Sequence, residues 1–127
     1  MNTVLLQGNL SRDPNLKYTP QGTAVCEFSI AVNEEYEDKQ GQKKQTTTFV
    51  DCKSWRGMAE KVGEYRKGAA TVVMGKLRTD SWEDKQTGQK RYKTYVLAEV
   101  VTSPFGNGKP KQEAPPAAQP PDDDVPY

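Results

Sequence analysis

Apolar and polar residues alternate along five segments of the chain, and this alternation predicts five β-strands. Neighbouring side chains of a strand point to opposite faces, so a period of two marks one buried and one exposed face. The pattern is clearest at residues 24–32, where every second residue is apolar while Glu27 and Ser29 are polar. The predicted strands are residues 3–10, 24–32, 46–55, 71–82 and 91–101, with a short segment at 16–19 that extends a strand.

One segment has a helical period instead. Met58, Val62 and Tyr65 are spaced at i, i+4 and i+7, which predicts a short amphipathic helix over residues 56–67 that ends at Gly68. Polar residues 34–45 and 83–90 predict two hairpin loops. A helix between the third and fourth strands of a five-stranded Greek-key barrel is the layout of an OB-fold, so the expected fold is all-β with one short helix.

The segment 49–55 carries an unusual strand face. Phe49, Asp51, Lys53 and Trp55 share that face, where charges lie between two large aromatic rings. A buried face would not carry these charges, and a merely solvated face would not carry these rings. A flat, anionic ligand accounts for both the rings and the charges. A nucleobase that stacks on a ring contributes ~1–3 kcal/mol of binding free energy, and its phosphate attracts a cation. The alternative is that the rings pack beneath a loop.

Further aromatic residues lie in or beside the polar segments, with lysines and arginines nearby. Any one of these rings, taken alone, is as well explained by packing, and packing is the preferred interpretation for Phe28, Tyr65, Tyr95 and Phe105. Taken together, rings and cations favour a surface for unpaired nucleic acid. The candidate nucleic-acid-binding residues are Tyr36, Lys39, Phe49, Lys53, Trp55, Arg56, Lys76, Arg78, Trp82, Arg91 and Tyr92.

Charge divides the chain into two parts. Residues 1–105 contain 16 Lys and Arg against 13 Asp and Glu, a net charge of +3, whereas residues 106–127 contain 2 against 4, a net charge of −2. Gly, Asn, Pro, Ala and Gln dominate residues 106–121, which predicts a flexible linker after a domain at 1–105. Acidic and then apolar residues at 122–127 predict a tip that binds a basic-rimmed apolar pocket on partner proteins. The tip consists of Asp122, Asp123, Asp124, Val125, Pro126 and Tyr127.

Composition argues against catalysis and metal binding. The chain has no histidine, the commonest general base, and its two cysteines, Cys26 and Cys52, form no metal-ligand cluster. We therefore expect no enzyme activity, no metal and no cofactor. The sequence does not decide whether a disulfide joins the two cysteines. No apolar stretch approaches the ~20 residues that span a bilayer, and no signal peptide is visible. The expected location is the cytoplasm, in association with the nucleoid.

The chain closely resembles the bacterial-type single-stranded DNA-binding proteins. The matching pieces include Arg12-Asp13-Pro14, residues 16–22, residues 28–32, residues 75–79 and Trp82, and the last six residues match again. The resemblance implies an OB-fold that assembles as a homotetramer and binds single-stranded DNA. It places the family's stacking positions on Tyr36, Phe49, Trp55 and Trp82, and it implies that the tip recruits replication, repair and recombination proteins.

The chain departs from the family pattern in a few places, and two other functions are compatible with its residues. Val125 and Tyr127 stand where isoleucine and phenylalanine are common, and the linker is short, features that suit a phage- or plasmid-encoded member. An RNA-binding OB-fold module would use the same rings, because readout of the 2′-hydroxyl is not visible in sequence. A protein-interaction domain without nucleic-acid contacts is the other alternative.

Overall fold

A computed structural model describes residues 1–104 of the chain. Phe105, the predicted linker and the predicted tip at 122–127 lie outside these residues. The described part contains six strands and one helix: β1 (Val4–Leu10), β2 (Asn15–Tyr18), β3 (Ala24–Glu37), β4 (Lys43–Trp55), α1 (Arg56–Gly63), β5 (Ala70–Glu83) and β6 (Lys90–Thr102). No helix within residues 1–104 is long and apolar enough to cross a membrane.

The strands close into a barrel. Their order is β1-β5-β6-β4-β3-β2, and β1 also pairs with β3 through Asn9 and Leu10, which joins the two sides of the sheet. All pairings are antiparallel except β4 with β6, which run parallel at Cys52–Val96 and Lys53–Leu97. The predicted five-stranded barrel with one helix is therefore confirmed, and β2 is a short additional strand along β3.

The core lies inside the barrel and beneath α1. The inward residues of β3 are buried, among them Cys26, Phe28 and Ile30, as the alternation predicted. Helix α1 covers one end of the barrel with Ala59 and Val62, which are both buried. Because each strand presents one apolar face to this core, the opposite face of β4, β5 and β6 is left outside the barrel.

The first hairpin differs from the prediction. Residues 34–45 were predicted as a loop, but β3 continues to Glu37 and β4 begins at Lys43, so the connection is only residues 38–42. Asp38 organises this turn, since its Oδ1 accepts bonds from the backbone N–H groups of Gln40 and Gln42 at 3.0 and 2.9 Å. Both faces of the projecting ribbon are exposed, so its sequence lacks the alternation that marks a half-buried strand.

The helix is also shorter than predicted. It ends at Gly63 instead of residue 67, and the next N–H groups bond three residues back, Glu64 to the Lys61 carbonyl and Tyr65 to the Val62 carbonyl. The chain then turns towards β1, where the N–H of Gly68 donates to the carbonyl of Leu10 at 2.8 Å. This return to the barrel ends the helix one turn early, although Tyr65 stays buried as its apolar spacing indicated.

Two glycines are required by close backbone contacts. A Cβ atom at Gly8 would overlap the carbonyl oxygen of Ala31, and one at Gly75 would overlap that of Leu97. Gly75 also lies at the β-bulge between β5 and β6. Gly8 sits in a regular ladder opposite Thr71, so it marks a close approach of β1 to β3 instead of a bulge.

Candidate nucleic-acid interface

Strand β4 presents aromatic rings on the outside of the barrel. The Phe49 side chain is 67 % exposed and Trp55 is 39 % exposed, while Cys52 and Ser54 of the opposite face are buried. Across the ladder, Phe49 lies opposite Ala31 and Trp55 opposite Val25, two small or medium side chains of β3 that leave the rings uncovered. Both rings are therefore available to a ligand.

The β5–β6 ribbon extends the exposed face of β4. Cross-strand partners share a face, so the pairs Trp82–Arg91 and Arg78–Tyr95 lie on one side of the ribbon. The parallel pairing of Lys53 with Leu97 joins that side to the outer face of β4. We call the resulting surface the outer face. It brings together seven of the candidate residues, namely Phe49, Lys53, Trp55, Lys76, Arg78, Trp82 and Arg91.

Four candidates lie elsewhere. Tyr36 pairs with Lys44 and Tyr92 pairs with Ser81, which places both tyrosines on the opposite side of their ribbons from Phe49 and Trp82. Lys39 lies in the turn between β3 and β4. Arg56 is the first residue of α1 and has a positive φ of 59°. These four residues are not part of the outer face.

Several cations of the outer face form ion pairs with neighbouring carboxylates. The Nζ of Lys76 is 3.7 Å from Glu99, and Nε of Arg91 is 3.2 Å from Asp84. Lys53 is 24 % exposed, with its Nζ 3.9 Å from Glu27 and 4.8 Å from the centre of the Tyr95 ring. Exposed ion pairs contribute only ~0–1 kcal/mol, so a phosphate group can replace these carboxylates at little cost.

Comparison with known proteins identifies the family of this arrangement. The model of the single-strand binding protein family matches residues 1–103. The chain belongs to this family. A relative named single-stranded DNA-binding protein from Deinococcus radiodurans is 48 % identical over 101 residues, which are 80 % of this chain and 33 % of that protein. A relative of the same name from Thermus aquaticus is 38 % identical over 141 aligned residues, covering 100 % of this chain and 52 % of that protein.

A solved structure agrees with the family assignment. A crystal structure of a deletion mutant of the single-stranded DNA binding protein from Thermus aquaticus matches with a TM-score of 0.73 at 29 % identity, covering 86 % of this chain and 53 % of that one. A relative from Bacillus cereus is 44 % identical over 102 residues, which are 80 % of this chain and 58 % of that protein. The chain thus spans only about a third to three-fifths of these relatives' length.

Several residues of the outer face were not predicted from the sequence. Tyr95 was interpreted as a packing residue, but it lies on the outer face and lines a cavity of about 210 Å³ together with Arg12, Lys93 and Trp82. Its hydroxyl donates to Asp80 Oδ1 at 3.3 Å, and partial burial followed by the charge of Asp80 raises the pKa of Tyr95. Strand parity was the available signal, because Lys93 and Tyr95 share the parity of Arg91.

The cysteines have a structural role in this member of the family. Cys26 and Cys52 are both free and buried, so no disulfide joins them. Burial, assisted by Glu27, raises the pKa of Cys26 to about 11, and burial, assisted by Asp51, raises that of Cys52 to about 12. Both thiols therefore stay protonated at neutral pH and behave as small apolar groups. Within residues 1–104, no group of three or more potential ligands is placed to hold a metal ion.

Proposed function

We propose that the chain binds single-stranded DNA without sequence preference, with the bases stacked on the rings of the outer face. The observation that carries this proposal is the exposure of Phe49, Trp55 and Trp82 on one continuous surface beside Lys53 and Arg78. Every base has a π-face, so stacking tolerates any sequence, while the cations attract the phosphates. The names of the relatives support the same ligand. The proposal involves binding and protection of the strand, without a chemical reaction.

The affinity of aromatic variants for labelled oligo-dT tests this proposal. Trp55→Ala and Trp82→Ala should each weaken binding by ~1–3 kcal/mol, because each removes one stacking ring. Tyr18→Ala is the matched control, since Tyr18 is an exposed ring on β2 whose hydroxyl donates to Glu60. Equal losses in all three variants would show that the outer face has no special role. Tighter binding of a matched RNA oligomer would favour the RNA-binding alternative.

We further propose that the protein assembles as a homotetramer. The outward side chains of Leu5, Met74 and Val100 form an exposed apolar row, because Leu5 pairs with Met74 and Met74 with Val100. Within residues 1–104, the stretch of β1 from Val4 to Gly8 pairs with β5 alone, which leaves its other edge free for a strand of a second copy. Light scattering that gave the mass of one chain would contradict this assembly, whereas Leu5→Lys should lower the measured mass.

The last part of the proposal concerns replication, repair and recombination in the cytoplasm. Its support is the acidic, then apolar sequence of the tip at 122–127, which suits a basic-rimmed pocket on a partner protein. Deleting these six residues should abolish capture of such partners and leave DNA affinity unchanged or slightly higher, because an anionic tail competes with DNA. A large loss of DNA affinity after the deletion would contradict this role.

A further inference from the structure

The cavity on the outer face has the form of a small ligand site. Its lining comes from five separate parts of the chain, with Arg12 after β1, Glu27 of β3, Asp51 of β4, Asp80 of β5 and Lys93 of β6. Its volume of about 210 Å³ is below the ~300–1,000 Å³ of sites for drug-sized ligands. A single nucleobase matches this smaller size, and the cavity opens between the rings and cations of the proposed DNA surface.

The rings at the cavity differ in their availability. Lys53 covers one face of the Tyr95 ring, with Nζ at 4.8 Å from the ring centre, so this ring already has a partner. Trp82 lines the same cavity, is 49 % exposed and can stack on an inserted base. Arg12 and Lys93 at the cavity provide cations for the neighbouring phosphates.

The carboxylates at the cavity differ as well. Glu27 contacts Lys17 and Lys53, and Asp51 Oδ2 lies 3.3 Å from Lys93 Nζ. Within residues 1–104, Asp80 has no ion pair, and the Tyr95 hydroxyl donates to its Oδ1 at 3.3 Å. An ionised carboxylate only accepts hydrogen bonds and has about four acceptor positions. Asp80 therefore keeps acceptor capacity at the cavity.

We infer that the cavity receives one base of the bound strand and prefers a base with an exocyclic amino group. This inference rests on the proposed DNA-binding function and adds a modest base preference to it. Cytosine offers its N4 amino group as a donor to Asp80, whereas thymine and uracil present the O4 acceptor at the same position. An acceptor facing a carboxylate gains no hydrogen bond and is repelled, so cytosine binds better there.

Oligo-dC and oligo-dU of about ten nucleotides provide the test, a length within the ~4–16 nucleotides bound per OB-fold. Neither base has the thymine methyl group, and the two differ only at the Watson–Crick edge, where cytosine carries the N4 amino group beside an unprotonated N3 and uracil carries O4 beside an N3–H. We expect the protein to bind oligo-dC at least about fivefold more tightly, which corresponds to ~1 kcal/mol. Equal binding, or tighter binding of oligo-dU, would overturn the inference.

Variants connect this preference to Asp80. Asp80→Asn should bring the dC/dU affinity ratio close to one, because an amide can also donate to O4. Glu83→Gln is the matched control: it removes the same charge from the same strand, but Glu83 does not line the cavity. Both changes should raise overall DNA affinity slightly, and only Asp80→Asn should change the ratio. Tyr95→Phe frees Asp80 from its hydroxyl donor and should increase the ratio.

The outcomes separate this inference from the function on which it rests. A ratio that persists in Asp80→Asn, or that falls equally in Glu83→Gln, would overturn the base site while leaving DNA binding intact. Failure of the unaltered protein to bind oligo-dC, oligo-dU and oligo-dT alike would refute the proposed function itself.

Discussion

Replacing Lys53 by methionine removes the cation at the centre of the outer face and keeps most of its aliphatic stem. The change breaks the contact over the Tyr95 ring and the 3.9 Å ion pair with Glu27. A cation over a ring contributes ~0.5–2 kcal/mol and an exposed ion pair ~0–1 kcal/mol, so we expect a stability loss of about 1 kcal/mol. Chemical denaturation should therefore find the variant folded.

DNA binding should respond more specifically than stability. If Lys53 neutralises one phosphate, the slope of log K against log salt concentration should become shallower by ~0.7 for a single strand. A fourfold rise in salt would then weaken binding of the variant about 2.6-fold less than binding of the unaltered protein. Lys61→Met is the control, because it removes the same charge from the last turn of α1, away from the outer face.

Titrations of oligo-dT at several salt concentrations measure both slopes. A Lys53→Met slope equal to that of the unaltered protein would refute a phosphate contact at this position. If Lys61→Met changed the slope by the same amount, the effect would come from the overall charge of the protein and not from a phosphate contact at Lys53.

Three further predictions concern the fold and its surroundings. Gly75→Ala should destabilise the barrel by about 1–3 kcal/mol or more in denaturant, because the new Cβ meets the Leu97 carbonyl. Arg56→Gly should leave stability equal or up to ~1 kcal/mol higher in denaturant, since it relieves a positive φ at the cost of chain entropy. Stability should decline as pH rises from about 9 towards 12. Burial raises the pKa of Cys26 from 9.0 to about 11 and that of Cys52 from 9.0 to about 12 in the folded state. The unfolded chain therefore loses these protons at lower pH than the folded protein does. A Cys26→Ala/Cys52→Ala double variant should lose that part of the alkaline decline in a pH series of denaturation curves.

The barrel could be predicted because most of its strands are half-buried. One face of β3 packs in the core, so its apolar residues recur with a period of two from Ala24 to Val32. The same strand continues to Glu37 with both faces exposed, and there the hydrophobic pattern disappears. The ends of the projecting ribbons depend on cross-strand pairing and on turns such as that at Asp38, which periodicity does not report.

The site could be predicted only in part for a related reason. Parity within β4 was sufficient to place Phe49 and Trp55 together. Tyr36 was grouped with Phe49 by residue type in a predicted loop, where parity assigns no face. Because β3 continues to Glu37, Tyr36 lies on the side of the ribbon opposite Phe49. The cavity requires the parallel pairing of β4 with β6, which brings Lys53 beside Leu97. No local pattern encodes that long-range pairing. Parity could therefore have placed Tyr95 on the face of Arg91, whereas the cavity became visible only in the structure.

Intrinsic tryptophan fluorescence tests the central claim most directly, because Trp55 and Trp82 are the chain's two tryptophans and both lie on the outer face. Single-tryptophan variants, Trp55→Phe and Trp82→Phe, would be titrated with single-stranded oligonucleotides of several unrelated sequences. Stacking of bases on both rings predicts saturable quenching in each variant with every sequence. Unchanged emission in both variants, at oligonucleotide concentrations that saturate binding measured independently, would contradict the claim.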